Sequence, residues 1–217
     1  MIRTLLLAAV CAVSLTACQG TVVETLPEGV TSDCPAALRG AWIGLDDDDR
    51  AHADAGMHVA DDCTTTVVET HAGKTRESTL VPRFLTVGEA GIVLYPHADV
   101  ARVLDWKADT AQPAGGWWPL EWRRSGKRLV LHLPDHRRIA TLIVNGALDG
   151  EAHWTSGDSG YNVLRGDAGA IRERLVEDAL FDRDREIELE RVGDGRRDLD
   201  RAIERARRDA RSRDGKR

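Results

Sequence analysis

The chain has 217 residues and a mass of 23.8 kDa, room for one ordinary domain with extensions or for two small ones. With 42% hydrophobic and 30% charged residues it can bury a core, which excludes a wholly disordered chain. The 30 basic and 36 acidic side chains leave a net charge of −6, which excludes a polycation built to hold nucleic acid.

Arg3 is followed by an apolar run over residues 5–17 whose only hydroxyls are Ser14 and Thr16. A helix of that length rises about 20 Å, short of the ~30 Å of a bilayer's hydrocarbon core, and fits the apolar segment of a secretory signal. The run ends in Leu15-Thr16-Ala17-Cys18, which resembles the lipobox of bacterial lipoproteins: a Leu, two small or hydroxyl residues, then a Cys. The resemblance implies a signal peptide over 1–17, a diacylglyceryl thioether on Cys18, cleavage before Cys18 and acylation of the new amine. Gln19 in place of Asp after the Cys implies sorting to the periplasmic face of the outer membrane. Two or more acyl chains make such an anchor stable. The alternative is a plain signal peptide with a coincidental Cys.

Cys11 leaves with the signal and Cys18 is taken by the lipid, so Cys34 and Cys63 remain. An even pair in an oxidising compartment is expected to form a disulfide. A redox or metal pair is the alternative, but there is no Cys-x-x-Cys and no His at ligand spacing from either.

Residues 18–33, with Pro27 and Gly29 and no hydrophobic period, read as a lipidated tether. Residues 34–166 read as an antiparallel β-domain. Short β-rich runs follow one another: Leu38–Gly44, Val67-Val68, Leu80–Val87, Ile92–Tyr95, Val100–Trp106, Trp117–Arg123, Arg128–Leu133, Ile139–Val144, Glu151–Thr155 and Tyr161–Leu164. Asn145-Gly146 and Asp149-Gly150 are hairpin-type dipeptides. The expected class is mainly β with an α extension: an antiparallel meander of about 8–10 short strands, closed as a barrel or paired as a sandwich.

From residue 167 the composition shifts, and 167–217 reads as a charged helical C-terminal extension. Asp167 is a candidate N-cap, and Ile171, Leu175, Val176, Ala179 and Leu180 recur at helical spacing. Gly193-Asp194-Gly195 breaks the pattern. A second helix is expected from Arg196 to Ser212, with a thin stripe of Leu199, Ala202, Ile203, Ala206 and Ala210. Such a helix is marginal alone and should fray or await a partner. Residues 183–217 carry 13 basic and 10 acidic side chains, against 16 and 26 over 19–182.

Leu38-x-Gly40-x-Trp42 after Cys34 resembles the first strand of lipocalin-like barrels, in which the Gly-x-Trp plugs the closed end. The glycines at 150, 157 and 160 before Leu164-Arg165 are similar to the last strands of small secreted barrels, including periplasmic protease inhibitors. The resemblance implies ligand or partner binding and assigns no pocket residue.

No catalytic set stands out. Gly157-Asp158-Ser159-Gly160 is similar to the nucleophile segment of trypsin-like proteases, but Tyr161 replaces the next Gly and no Ala-His-Cys context exists, so it reads as a turn. Asp46–Asp49, with Asp54, Asp61 and Asp62, read as a solvated acidic loop, with a weak cation site as the alternative. The seven His have no zinc spacing, since Pro134 separates His132 from His136. No metal and no cofactor is expected. The segment Gly115–Trp122 holds three of the six Trp. Alternation puts Trp118 and Trp122 on one face with Leu120, and Trp117 on the other with Glu121. One face is expected in the core, and the functional alternative is stacking on an apolar ligand or sugar ring. The sequence therefore points to a lipid-anchored envelope protein with a non-catalytic β-barrel, binding an amphipathic small molecule or envelope component near Trp117, Trp118 and Trp122. The alternatives are docking of an envelope protein through the C-terminal helices and, last, a hydrolase. The expected partners are the membrane, through Cys18, and that ligand or protein, with no nucleic acid.

Overall fold

The computed structural model describes residues 19–71, 74–87, 90–103, 115–156, 159–176 and 180–214. The signal segment with Cys18, Trp106, Gly157-Asp158 and Ala179 lie outside the described residues. Twelve strands form one large sheet: β1 (Gln19–Val23), β2 (Gly40–Leu45), β3 (Ala51–Val59), β4 (Thr65–His71), β5 (Lys74–Leu80), β6 (Arg83–Val87), β7 (Ala90–Pro96), β8 (Trp117–Ser125), β9 (Arg128–Pro134), β10 (Gly150–Ser156), β11 (Ser159–Leu164) and β12 (Phe181–Gly193). Among the described residues four helices accompany them: α1 (His97–Val103), α2 (His136–Val144), α3 (Ala168–Val176) and α4 (Arg196–Asp214).

The strands run in the order β10-β11-β1-β8-β9-β12-β2-β3-β4-β5, and β7 joins β8 to β6. Strand β8 is a fork. Its residues Trp117–Arg123 pair with β7, Glu121–Ser125 pair with β9, and Trp117 also meets Val23 of β1. The protein is mainly β with a C-terminal helix. The sheet is mixed, because β1 runs parallel to β11. It does not close: β5 and β6 succeed each other in the chain without pairing.

Period-two alternation gives the sheet two faces. On one, Trp42, Val59, Leu80, Phe84, Val93, Leu120, Trp122, Leu129 and Leu189 share a core. Strands at both ends of the β6-to-β5 path contribute to it, so the sheet curls round its own side chains. Trp42 is fully buried, donates from Nε1 to the Leu38 carbonyl at 2.8 Å, and carries the Arg124 guanidinium 5.6 Å from its ring. The opposite face is covered twice. Helices α2 and α3 bring Ile139, Ile171 and Leu175 onto Val23, Ile92, Leu94 and Leu164. Helix α4 brings Leu199, Ala202, Ile203 and Ala206 onto Ala41, Ile43 and Val68.

Five expectations are corrected. The tether does not extend through 19–23: Thr21, Val22 and Val23 are β-branched and buried in β1. Ile139–Val144 is helical, because the Asp135 carboxylate caps it by accepting from the Arg138 N–H at 3.0 Å, and Asn145-Gly146 ends it in place of a hairpin. Val100–Val103 likewise belong to α1. The C-terminal extension is not all helix: Ile187 and Leu189 alternate with Glu186, Glu188 and Glu190, and β12 inserts between β9 and β2. Helix α4 is also docked, not fraying. Leu199 approaches so closely that a Cβ on Gly56 would sit 2.6 Å from its Cδ1. Asp167 caps α3 as expected, accepting from the Ala170 N–H at 2.8 Å.

Cys34 and Cys63 form a disulfide across 29 residues. Replacing both by Ser is expected to lower unfolding free energy by about 3–4 kcal/mol on the chain-entropy model, measured as the urea midpoint against the oxidised parent. Leu199→Ala should cost about 2–5 kcal/mol, whereas Arg205→Ala on the outward face should change stability by less than about 0.5 kcal/mol. Equal small effects of the two would mean that α4 is not part of the cooperative fold.

Candidate functional site

The three tryptophans expected at a ligand site do not form one platform. Trp122 is 1% exposed and belongs to the core inside the curled sheet, so it offers no face to a ligand. Trp118 packs against that same core half-buried, and Trp117 packs against the other core, under α2 and α3. The alternation read from the sequence is the one observed. Its consequence is that β8 is walled by side chains on both faces.

Two polar clusters lie deeper in the sheet. In the first, Glu121 is 7% exposed and its carboxylate accepts from both ends of the Arg183 guanidinium, one contact at 3.1 Å, and from Arg123 at 3.4 Å. His132, also buried, lies with Nε2 4.0 Å from the same carboxylate. Arg183 sits in the irregular stretch between Phe181 and Glu186, where the register with β9 shifts. The bidentate pair therefore clamps that excursion to β8.

The second cluster joins β1, β10, β11 and α2. The Asn162 amide donates to the Thr21 hydroxyl at 3.1 Å and to the His136 carbonyl at 2.8 Å, while its oxygen accepts from Trp154 Nε1 at 3.0 Å. The Thr21 hydroxyl lies 2.9 Å from His136 Nδ1. Desolvation drives the His136 imidazole from 6.5 down to about 4, with Asp182 acting against the fall and Arg185 adding to it. The ring is thus neutral at pH 7, and the hydroxyl can donate to Nδ1 while accepting from Asn162. A hydroxyl on a neutral imidazole has the spacing of a nucleophile and its base. Thr21, however, has no exposed surface, so no substrate carbonyl can reach it, and the cluster ties β1 and α2 to the sheet. No sequence signal pairs residues 21, 136 and 162, which meet only through the topology.

A concave surface among the described residues lies elsewhere, at the end of the sheet beside the disulfide. A cleft of about 400 Å³ is lined by Arg39, Gly40, His58, Asp61, Arg191 and Asp194, among others. The Cys34 carbonyl accepts from Arg39 Nη2 at 3.0 Å, Asp194 pairs with Arg191 Nη2, and the Asp194 carbonyl lies 3.3 Å from His58 Nε2. No sequence pattern marks this cleft, because Arg39 and Arg191 lie 152 positions apart in the chain.

The acidic loop is a turn. The Asp46 carboxylate accepts from the backbone N–H of Asp48 at 3.0 Å and of Arg50 at 2.9 Å, and the Arg50 side chain pairs with Asp46 and Asp48. Its neighbour Asp49 pairs with Arg128 at 2.9 Å. Of the protease-like turn, Ser159 opens β11 and Gly160 pairs with Trp154 and Gln19.

The lowered His136 value sets a pH dependence. The unfolded ring takes a proton near pH 6.5 and the folded ring only near pH 4, so between them the unfolded state binds more protons. Stability is full above pH 6.5 and falls as the pH drops to 4, by no more than about 3 kcal/mol. His136→Asn, which keeps an acceptor near Thr21 but cannot titrate, should flatten that part of the urea-midpoint profile. An unchanged slope would exclude His136 as its source. Compared with protein-family models, with curated proteins and with solved structures, the chain matches none.

Proposed function

We propose that the chain is a lipid-anchored envelope protein, held through Cys18 at the periplasmic face of an outer membrane, whose β-rich domain works without catalysis by binding a small amphipathic molecule or another envelope component. The observation that carries this reading is the Leu15-Thr16-Ala17-Cys18 motif at the end of the apolar run over residues 5–17.

The binding half of the proposal moves from the tryptophans to the surface. Trp42, Trp122, Phe84 and Leu129 pack together inside the curled sheet, so these side chains serve as core and not as a ligand platform. Among the described residues, the cleft beside Cys34–Cys63 is a concave surface open to a ligand. Docking of a protein partner through the C-terminal helices has weaker support, because the apolar stripe of α4 is spent on the sheet. What α4 turns outward is charged, with Arg197, Arg201, Arg205 and Arg208 all exposed.

Cys18→Ser, expressed in a Gram-negative host, should accumulate at precursor mass, without acyl groups, and fail to reach the outer-membrane fraction. Intact mass and fractionation check this. Normal processing of that variant would sink the anchor.

A further inference from the structure

We propose that the outward sides of α2 and α3 dock on the anionic surface of the bilayer that carries the Cys18 anchor. This rests on the anchor proposed above and names the surface of the domain that lies against the membrane. Among the described residues three large apolar side chains are exposed: Val81, Val144 and Val176, at 50%, 77% and 44%. Two of them are the last residues of α2 and α3, the helices that cover the core over β1. Single exposed apolar groups are ordinary, so position and charge carry the argument.

Position follows from β1. Helix α2 packs on β1, β10 and β11, and its first residue, His136, has Nδ1 2.9 Å from the Thr21 hydroxyl. Thr21 is three residues from Cys18, about 10 Å of chain, so the acyl chains would leave the protein beside the start of α2. Half-buried Trp154 is joined to the same spot, through Asn162 to the His136 carbonyl, and an indole with one polar edge suits the headgroup layer. Charge points the same way. Arg137 and Arg138, both exposed, occupy the first turn of α2, which has no acidic residue. Cations there oppose the helix dipole, so the helix gains nothing from them locally. With Arg172 and Arg174 the two helices hold four arginines against one glutamate, Glu173, while Asp135 and Asp167 are engaged in capping. Exposed apolar tips beside arginines are the makeup of an interfacial helix: the guanidinium groups meet phosphate and the apolar groups enter the acyl boundary. The patch is small, but an anchor nearby makes docking intramolecular, so little affinity is needed. The arginines of α4 are a poorer match. Exposed Asp200, Glu204 and Asp209 are interspersed with them, and α4 packs on β2 and β3, beyond β8, β9 and β12.

The test uses the full chain as purified from a Gram-negative host, in discs of phosphatidylethanolamine and phosphatidylglycerol. The valine methyls carry carbon-13, and some lipid headgroups carry a nitroxide. The expected result is enhanced relaxation of the Val144 and Val176 methyls, while Val81, between β5 and β6, is unaffected. Arg138→Glu puts an acid where the helix dipole favours one, so α2 stays folded, and it should reduce the enhancement about twofold or more. No enhancement at Val144 and Val176, or enhancement of Val81 in their place, would overturn the proposal. Enhancement unchanged by Arg138→Glu and equally strong on phosphatidylcholine alone would overturn the anionic surface as the partner. Intact mass of the same sample reads the anchor separately. Acyl mass without enhancement leaves the anchor standing and removes the docking face, and enhancement without acyl mass does the reverse.

Discussion

The fold depends on the pairing of β12 with two strands at once. On one edge it meets β9 from Glu186 to Glu190, and on the other it meets β2 from Leu189 to Gly193. No other strand pair joins β2–β5 to β6–β9. Without β12 the first four hairpin strands and the β8 fork would be two sheets, each with one apolar face open to water. The last strand of the chain therefore completes a core begun at Trp42. Such non-local pairing delays the closing of the core until the C-terminus is present. It also delivers two functional geometries together, Arg183 onto Glu121 and Arg191 onto Gly40, because both arginines are carried by this strand.

That arrangement explains which parts of the architecture were legible. The Arg128–Leu133 alternation, the Trp117–Arg123 strand and the two faces of the tryptophan segment follow from period two and sit where alternation puts them. The disulfide follows from cysteine count and compartment, and the Asp167 cap from local chemistry. The misreadings share one cause: local composition outweighed pattern. The Glu-Ile-Glu-Leu-Glu run of β12 alternates cleanly, but its charge density and its position between two helical stretches pull it into a helical reading. Ile139–Val144 is apolar and β-branched enough to read as a strand, and only the capping Asp135 before it and Asn145-Gly146 after it mark a helix. Strand β1 is short and precedes Pro27, so its Thr21-Val22-Val23 core carries too little period to separate it from a linker.

The candidate sites divide by how their buried polar atoms are satisfied. Around Asn162 each named polar group has a partner: its oxygen takes Trp154, its amide serves Thr21 and His136, and the hydroxyl bridges to the imidazole. A fully satisfied network of that kind fixes geometry and costs little. Glu121 is held by two arginines, and removing Arg183 would leave a carboxylate that is 7% exposed with only the 3.4 Å contact to Arg123. Both clusters contain catalytic residue types; around Asn162 the named groups pair with one another, whereas beside Glu121 the Nδ1 of His132 is buried without a partner among the described residues. Among the described residues, Arg39 and Arg191 at the Cys34–Cys63 corner are the cationic side chains with a buried, unpartnered N–H, and a cleft opens beside them. Residue type thus misleads where partner accounting discriminates.

The same accounting bears on how the domain would sit in an envelope. If Cys18 carries the proposed lipid, one peptide unit, about 3.8 Å between Cα atoms, separates the acylated residue from a strand hydrogen-bonded to β11. No slack remains in which the domain could swing away from the bilayer. The edge formed by β10, β11 and β1 would be held at the membrane surface, with Trp154 and the stacked His153–Tyr161 pair near the Gln19 end of β1. Aromatic rings with one polar edge suit that depth. The arginine cleft belongs to the other half of the sheet, beyond β8, β9 and β12. Anchoring β1 therefore constrains the orientation of the whole sheet, and the strand that transmits that constraint to the cleft is β12.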